Sequence, residues 1–212
     1  MDLAHPISTV VPTLDGPVLA TLARTSQPLT GRRVHQLTET GSEAGVRKVL
    51  TRLVDTGLVT ATRVGPSLQY ALNRQHLAAD AVLELSALRG RMVLRMKSAI
   101  EQRDDDQIVH ASIFGSAARG DGDLDSDIDL LLVCSSDDAL QSLSDWIAQL
   151  GESVHAWTGN FLQTYAITTD ELTRHLVAAD PLVNEWLRDC ITVHGPEFRR
   201  LRSEISRDVM GQ

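Results

Sequence analysis

The sequence predicts a mixed α+β chain of two modules: a helical module that ends in a β-hairpin, then a small mixed α/β sheet with C-terminal helices. Helical spacing of apolar residues dominates up to about residue 57, whereas short apolar strands alternate with helices from residue 108 onward. The charge is also uneven: residues 1–90 carry nine Lys/Arg against seven Asp/Glu, and residues 91–212 carry eleven against twenty-one. We therefore predict domains at 1–80 and 105–212, joined by a helical connector at 81–104.

The overall composition is that of an ordinary globular protein. Of 212 residues, 42% are hydrophobic and 23% are charged, with a formal net charge of −8. No apolar run reaches the length that spans a bilayer, and the N-terminus lacks a basic segment followed by an apolar stretch. Two cysteines, Cys134 and Cys190, are too few for a disulfide framework. We expect a cytoplasmic protein without a membrane partner.

The N-terminal module has the pattern of three helices and a hairpin. Apolar spacing predicts helices at about 16–25, 31–40 and 42–57, and the third is the clearest because it begins at a capping serine and ends at a glycine. Two β-rich runs, 58–64 and 67–72, flank a Gly-Pro turn. This order is typical of a winged helix-turn-helix, whose third helix is the recognition helix.

Basic side chains of this module are predicted to contact duplex DNA. They lie away from the apolar face of the third helix, on the helix before it and near the hairpin turn, at Arg32, Arg33, Arg47, Lys48, Arg52 and Arg63. The alternatives are a solvated helix face and a module that binds protein. Aromatic residues make up only 4%, which disfavours stacking on single strands. We expect DNA binding to require a homodimer that reads two half-sites.

The chemistry is predicted to reside in the segment 113–133, which reads IFGSAARGDGDLDSDIDLLLV. An apolar strand ends at Phe114, and Gly115 and Ser116 turn the chain into a helix. Glycine permits close approach of a phosphate, and a serine hydroxyl can donate to a phosphate oxygen. Asp127 and Asp129, at i and i+2 of the next strand, point to one face. Two such carboxylates can hold Mg²⁺ for phosphoryl transfer.

This segment resembles the signature of the DNA-polymerase-β-like nucleotidyltransferase superfamily, and in particular its minimal bacterial and archaeal members. The matching residues are Gly115, Ser116, Ala118, Arg119, Gly120, Ser126, Asp127, Ile128, Asp129 and Leu130. The whole chain resembles bacterial proteins that fuse a winged helix to this domain. The resemblance implies transfer of a nucleoside monophosphate from an NTP, with Mg²⁺ or Mn²⁺, to an acceptor such as a protein hydroxyl, an RNA end or an antibiotic.

The resemblance also implies the role of each site residue. Asp127 and Asp129 bind metal and catalyse, and the nucleotide contacts come from Gly115, Ser116, Arg119 and Ser126. Arg119 has a second interpretation, as the partner of the acidic loop 121–125.

One position departs from the family pattern. Family members commonly carry a third carboxylate on the following strand, where this chain has Gln163. A glutamine has no charge and cannot act as a base. One alternative to an active enzyme therefore stays open, a DNA-binding transcriptional regulator whose degenerate domain only senses nucleotide. A third alternative, a toxin–antitoxin component that modifies or is modified by a partner, is implied by the family resemblance alone.

Overall fold

The computed structural model describes residues 1–103 and 106–210, and the chain divides into two compact units. The N-terminal unit comprises residue 2 and residues 4–89, and the C-terminal unit comprises residues 1, 3 and the chain from residue 90 onward. The described part contains two β-sheets among α-helices, which confirms the mixed α+β class. No helix in this part has the length and apolar character needed to cross a membrane.

The N-terminal unit opens with a short 3₁₀ helix, Pro6–Thr9, and its sheet has the strand order β1-β3-β2. Its other elements are α1 (Asp15–Ala23), β1 (Leu29–Thr30), α2 (Gly31–Thr38), α3 (Glu43–Asp55), β2 (Val59–Val64), β3 (Ser67–Leu72) and α4 (Ala79–Ser86). Strands β2 and β3 form an antiparallel hairpin, and the two residues of β1 pair with β3.

Local signals in the sequence explain where α2 and α3 begin. The Thr30 hydroxyl accepts a hydrogen bond from the Arg33 N–H, and the Ser42 hydroxyl accepts one from the Gly45 N–H. Both are N-caps, which satisfy amide groups that have no partner within the helix. The apolar face of α3 is buried and packs with α1 and α2 through four residues, Val46, Val49, Leu50 and Leu53.

The C-terminal unit is built on a four-stranded sheet of order β6-β5-β4-β7. Its elements are α5 (Leu88–Glu101), β4 (Ile108–Phe114), α6 (Gly115–Arg119), β5 (Ile128–Cys134), α7 (Asp137–Ser142), α8 (Ser144–Thr158), β6 (Leu162–Thr168), α9 (Thr169–Val177), α10 (Pro181–Asp189), β7 (Ile191–His194) and α11 (Phe198–Met210). Strands β5 and β6 are parallel, whereas β4 is antiparallel to both β5 and β7.

The sheet separates two apolar cores, because successive strand residues point to opposite faces. On β5, Leu130 and Leu132 pack with α5, α7 and α8. Leu131 and Val133 pack instead with α9, α10 and α11. Asp129 alternates with Ile128 and Leu130, so it belongs to the face that α9, α10 and α11 cover.

The structure differs from the expectations of secondary structure in three places. The spacing of apolar residues over 138–157 predicts one helix, but the structure has two, α7 and α8. They are separated at Leu143, whose side chain is fully buried in the core that both helices share. Strand β7 was not expected, because four residues carry too little periodicity to signal a strand. The segment 81–104 holds α4 and α5, of which α4 packs in the N-terminal unit through Val82 and α5 in the C-terminal unit through Met92 and Met96.

Candidate functional site

Asp127 and Asp129 lie at the beginning of β5, the central strand that runs beside β4 and β6. Asp127 immediately precedes the strand and is exposed, and Asp129, its second residue, is half-buried. The N–H of the intervening Ile128 donates to the Phe161 carbonyl at 2.8 Å, which fixes the start of β5 against the start of β6. The two aspartates thus lie where β5 begins, next to the start of β6.

Gly115 makes room for the Asp129 carboxylate. Its φ is +67°, in the left-handed region, and a Cβ atom at this position would overlap Asp129 Oδ2. Any side chain here would therefore both strain the backbone and displace the carboxylate. From the motif alone, a glycine is expected at this position because a phosphate approaches the backbone closely. In the folded chain, the carboxylate of Asp129 also lies against it.

The electrostatic environment of Asp129 favours its neutral form. Burial raises the pKa of Asp129, and the negative charges of Asp127 and Glu185 raise it further, while the positive charge of Arg119 lowers it. Two carboxylates that repel each other in this way are stabilised by a cation that both can bind.

The loop between α6 and β5 is held by its own hydrogen bonds. The Ser126 hydroxyl donates to Asp123 Oδ1 at 2.8 Å and accepts from the Asp123 N–H at 2.9 Å. The bond that Ser126 donates lowers the pKa of Asp123. The loop passes close to Ser116, because a Cβ on Gly122 would lie 3.1 Å from Ser116 Oγ. Ser126, predicted to contact nucleotide, thus uses its hydroxyl to close the loop.

A buried asparagine holds this loop from the side of β6. The Asn160 side-chain amide donates to the Ser126 carbonyl at 2.9 Å, and the residue is only 2% exposed. Asn160 was not among the residues predicted from the sequence. Its position just before β6 is the one signal available, because its partners lie more than thirty residues earlier in the chain.

Arg119 forms two ion pairs. Its guanidinium donates to Asp121 at 3.0 Å and to Asp189, at the end of α10, at 2.8 Å. These partners raise the pKa of Arg119. Hydrogen bonds from Arg188 and Arg119 lower the pKa of Asp189 to about 2, although burial opposes them. The pairing with the acidic loop was one of the two interpretations of Arg119, whereas Asp189 was not predicted.

Gln163 is the register partner of Asp129 on the parallel strand β6. Its side chain therefore shares the face of the sheet that carries Asp129. Among the described residues, no three His, Cys, Asp or Glu side chains are grouped so that they could hold a metal ion. Two carboxylates still suit Mg²⁺, because protein sites for this ion commonly supply one or two carboxylates while substrate phosphates and waters complete the shell.

The six basic residues predicted to contact DNA are all exposed on the N-terminal unit. Arg32 and Arg33 lie in the first turn of α2, and Arg63 lies in β2 near the hairpin turn. Those on α3 differ in their partners: Arg52 forms an ion pair with Asp15, and Arg47 lies 3.5 Å from Glu43 one turn earlier, while Lys48 is exposed beside it.

Comparison with known proteins finds a family match for part of the C-terminal unit. Residues 95–177 match a family model described as a nucleotidyltransferase domain. None of the curated proteins matches the chain. One similar solved structure is a toxin–antitoxin crystallised with AMP-PNP, with 12% identity, a TM-score of 0.34, and coverage of 54% of this chain and 87% of the other.

Another is a candidate nucleotidyltransferase from Sulfolobus solfataricus, with 20% identity, a TM-score of 0.28, and coverage of 50% of this chain and 81% of the other. The segment matched by the family model contains β4, α6, β5 and β6, and with them both aspartates and Gln163. The chain therefore contains a segment, residues 95–177, that matches the nucleotidyltransferase domain family.

Proposed function

We propose that this protein is a metal-dependent nucleotidyltransferase that moves a nucleoside monophosphate from an NTP to an acceptor hydroxyl. The observation that carries the proposal is the contact of Asp129, two residues after Asp127, with Gly115 at the Gly115–Ser116 turn, within a segment that matches the nucleotidyltransferase domain family. Carboxylates beside a glycine turn suit a reaction in which a bound cation must neutralise charge on phosphate oxygens.

Four of the site residues have a defined role in this reaction. Asp127 and Asp129 would hold Mg²⁺ or Mn²⁺, which would supply positive charge to the triphosphate and the leaving pyrophosphate. Ser116 donates its hydroxyl to a phosphate oxygen. Gly115, which has no Cβ atom, leaves room for the Asp129 carboxylate against the start of α6.

The proposal is tested by binding of ATP with Mg²⁺, measured by isothermal titration calorimetry. We expect binding in the wild-type protein and its loss in Asp127→Ala with Asp129→Ala, because the metal then lacks its carboxylate ligands. The matched control replaces Asp137 and Asp138, an exposed acidic pair in α7, with alanine. Equal binding in the two double variants would place the nucleotide elsewhere.

A second candidate function is supported by Gln163. This neutral side chain pairs in register with Asp129, where the family pattern has a carboxylate, so the domain could bind nucleotide without transferring it. The protein would then be a transcriptional regulator that senses nucleotide. Under this alternative, nucleotide binds and changes DNA affinity, yet no nucleoside monophosphate is transferred. A transfer assay with labelled NTP separates the two functions.

We further propose that the N-terminal unit is a winged helix-turn-helix that binds duplex DNA as a homodimer. The order α1, α2, α3 and hairpin β2-β3 supports this, as do the exposed basic side chains on α2, α3 and β2. Gel shifts at several salt concentrations test the proposal, since each neutralised phosphate contributes about −0.9 to the slope of log affinity against log salt. Absence of binding to duplex DNA at low salt would contradict it.

A further inference from the structure

We propose that Glu185, on α10, is the general base that takes the proton from the acceptor hydroxyl, a role that Gln163 cannot fill. The inference rests on the proposed nucleotidyl transfer and names a residue outside the motif and outside the segment that matches the family model.

Helix α10 covers the face of the sheet on which Asp129 lies. Trp186, the residue after Glu185, is packed in the core formed with Leu131 and Val133 of β5. Its ring contacts the Phe114 ring edge-on, with 6.3 Å between centroids, and Phe114 is the register partner of Asp129 on β4. The middle of α10 is therefore fixed beside the end of β4 and the start of β5, where Asp129 lies.

The end of α10 is tied to the helix that begins the motif. Asp189 pairs with Arg119 of α6 at 2.8 Å, and the Asp189 side chain is only 4% exposed. Glu185 precedes Asp189 by one helical turn, so the two side chains lie on the same side of α10. Glu185 thus lies on the side that meets α6, and its negative charge is among the causes that raise the pKa of Asp129.

Glu185 also differs from the nearby carboxylates in its partners. It is exposed, and among the described residues no hydrogen bond or ion pair holds it. Asp189, with a pKa of about 2, is a poor base because its charge is stabilised by Arg188 and Arg119. Two other carboxylates lie close by. Asp121 is paired with Arg119, and Asp123 accepts a hydrogen bond from Ser126 within the loop.

In the proposed step, the acceptor O–H gives its proton to the Glu185 carboxylate while the oxygen forms a bond to the α-phosphorus of the NTP. The bond between the α-phosphorus and the oxygen that bridges to the β-phosphorus breaks. Pyrophosphate leaves with that electron pair, and Glu185 later returns the proton to solvent.

The test compares Glu185→Gln with Glu152→Gln, an exposed glutamate on α8, which packs against the other face of the sheet. We expect Glu185→Gln to keep its affinity for Mn²⁺ with NTP, measured by calorimetry, within about twofold. Transfer should fall by about 10²–10⁴-fold, the usual contribution of a general base. Its pH–rate profile should lose the acidic limb, which a purely structural residue would not remove, and Glu185→Asp should restore part of the rate.

Two results would overturn the role of Glu185 and leave the proposed function standing. The first is transfer in Glu185→Gln equal to that in Glu152→Gln. The second is a loss of metal–nucleotide affinity in parallel with transfer, which would make Glu185 a ligand instead of a base. Absence of transfer in the wild-type protein with every NTP would overturn the proposed function and this inference with it.

Discussion

Replacing Gly115 with alanine should both destabilise the C-terminal unit and abolish metal-dependent nucleotide binding. The left-handed backbone at this position costs about 1–2 kcal/mol for a residue with a Cβ atom. The new Cβ would also overlap Asp129 Oδ2 and force that side chain from its rotamer, at a further cost of about 0.5–1.5 kcal/mol. For a unit of this size, each kcal/mol lowers the melting temperature by about 3–5 °C. The total decrease should be about 5–15 °C.

Gly159→Ala is the matched control for this prediction. Gly159 also has a left-handed φ, +77°, but a Cβ there would meet its nearest atom at an ordinary contact distance, 3.7 Å. It should lower the melting temperature by about 3–10 °C through the backbone strain alone, with ATP–Mg²⁺ affinity unchanged. Thermal melts measure the loss of stability in each variant, and titration calorimetry measures its affinity for ATP–Mg²⁺. If Gly115→Ala were no less stable than Gly159→Ala and bound nucleotide normally, the assigned contact between Gly115 and Asp129 would be refuted.

Three further predictions concern charge. Asp129→Asn should raise the melting temperature at neutral pH, because the pKa of Asp129 is raised in the folded state and its ionised form is therefore disfavoured there. The difference in melting temperature from wild type should shrink as the pH falls through that folded-state pKa. A difference that stays constant across pH would contradict the assigned burial of Asp129. Gln163→Asp should tighten Mn²⁺ binding in calorimetry, since it adds a carboxylate beside Asp129; weaker binding would mean that Gln163 is not the third position. Arg47→Ala with Lys48→Ala should make the salt slope of DNA binding shallower by about 0.9 for each phosphate that the variant leaves unneutralised, and an unchanged slope would exclude α3 from the interface.

The local parts of the fold could be predicted from the sequence because their signals are local. Strand β4 has the predicted bounds, because a run rich in apolar residues ends at Phe114, just before Gly115. Helices α2 and α3 begin behind the capping residues Thr30 and Ser42. Strand β7 could not be predicted, because what makes it a strand is pairing with β4, about eighty residues earlier.

The candidate site likewise contains some residues whose position could be predicted from the sequence and others whose position could not. The motif spacing placed Asp127 and Asp129 at the start of β5, and the family pattern placed Gln163 beside them, because neighbouring parallel strands share their register. The ion pair between Arg119 and Asp189 joins residues seventy positions apart and depends on how α10 packs on the sheet. Neither segment contains a sequence pattern that predicts this ion pair. The contribution of α10 to the site can therefore be seen only in the folded structure.

The most direct test of nucleotidyl transfer follows two labels through one reaction. The purified protein is incubated with Mg²⁺ or Mn²⁺ and each NTP labelled at the α- or the γ-phosphate, in the presence of cell extract as a source of acceptors. We expect label from the α-phosphate to become attached to an acceptor, label from the γ-phosphate to leave as pyrophosphate, and Asp127→Asn with Asp129→Asn to abolish the attachment. Attachment of the γ-label, or of neither label with any NTP, would contradict nucleotidyl transfer.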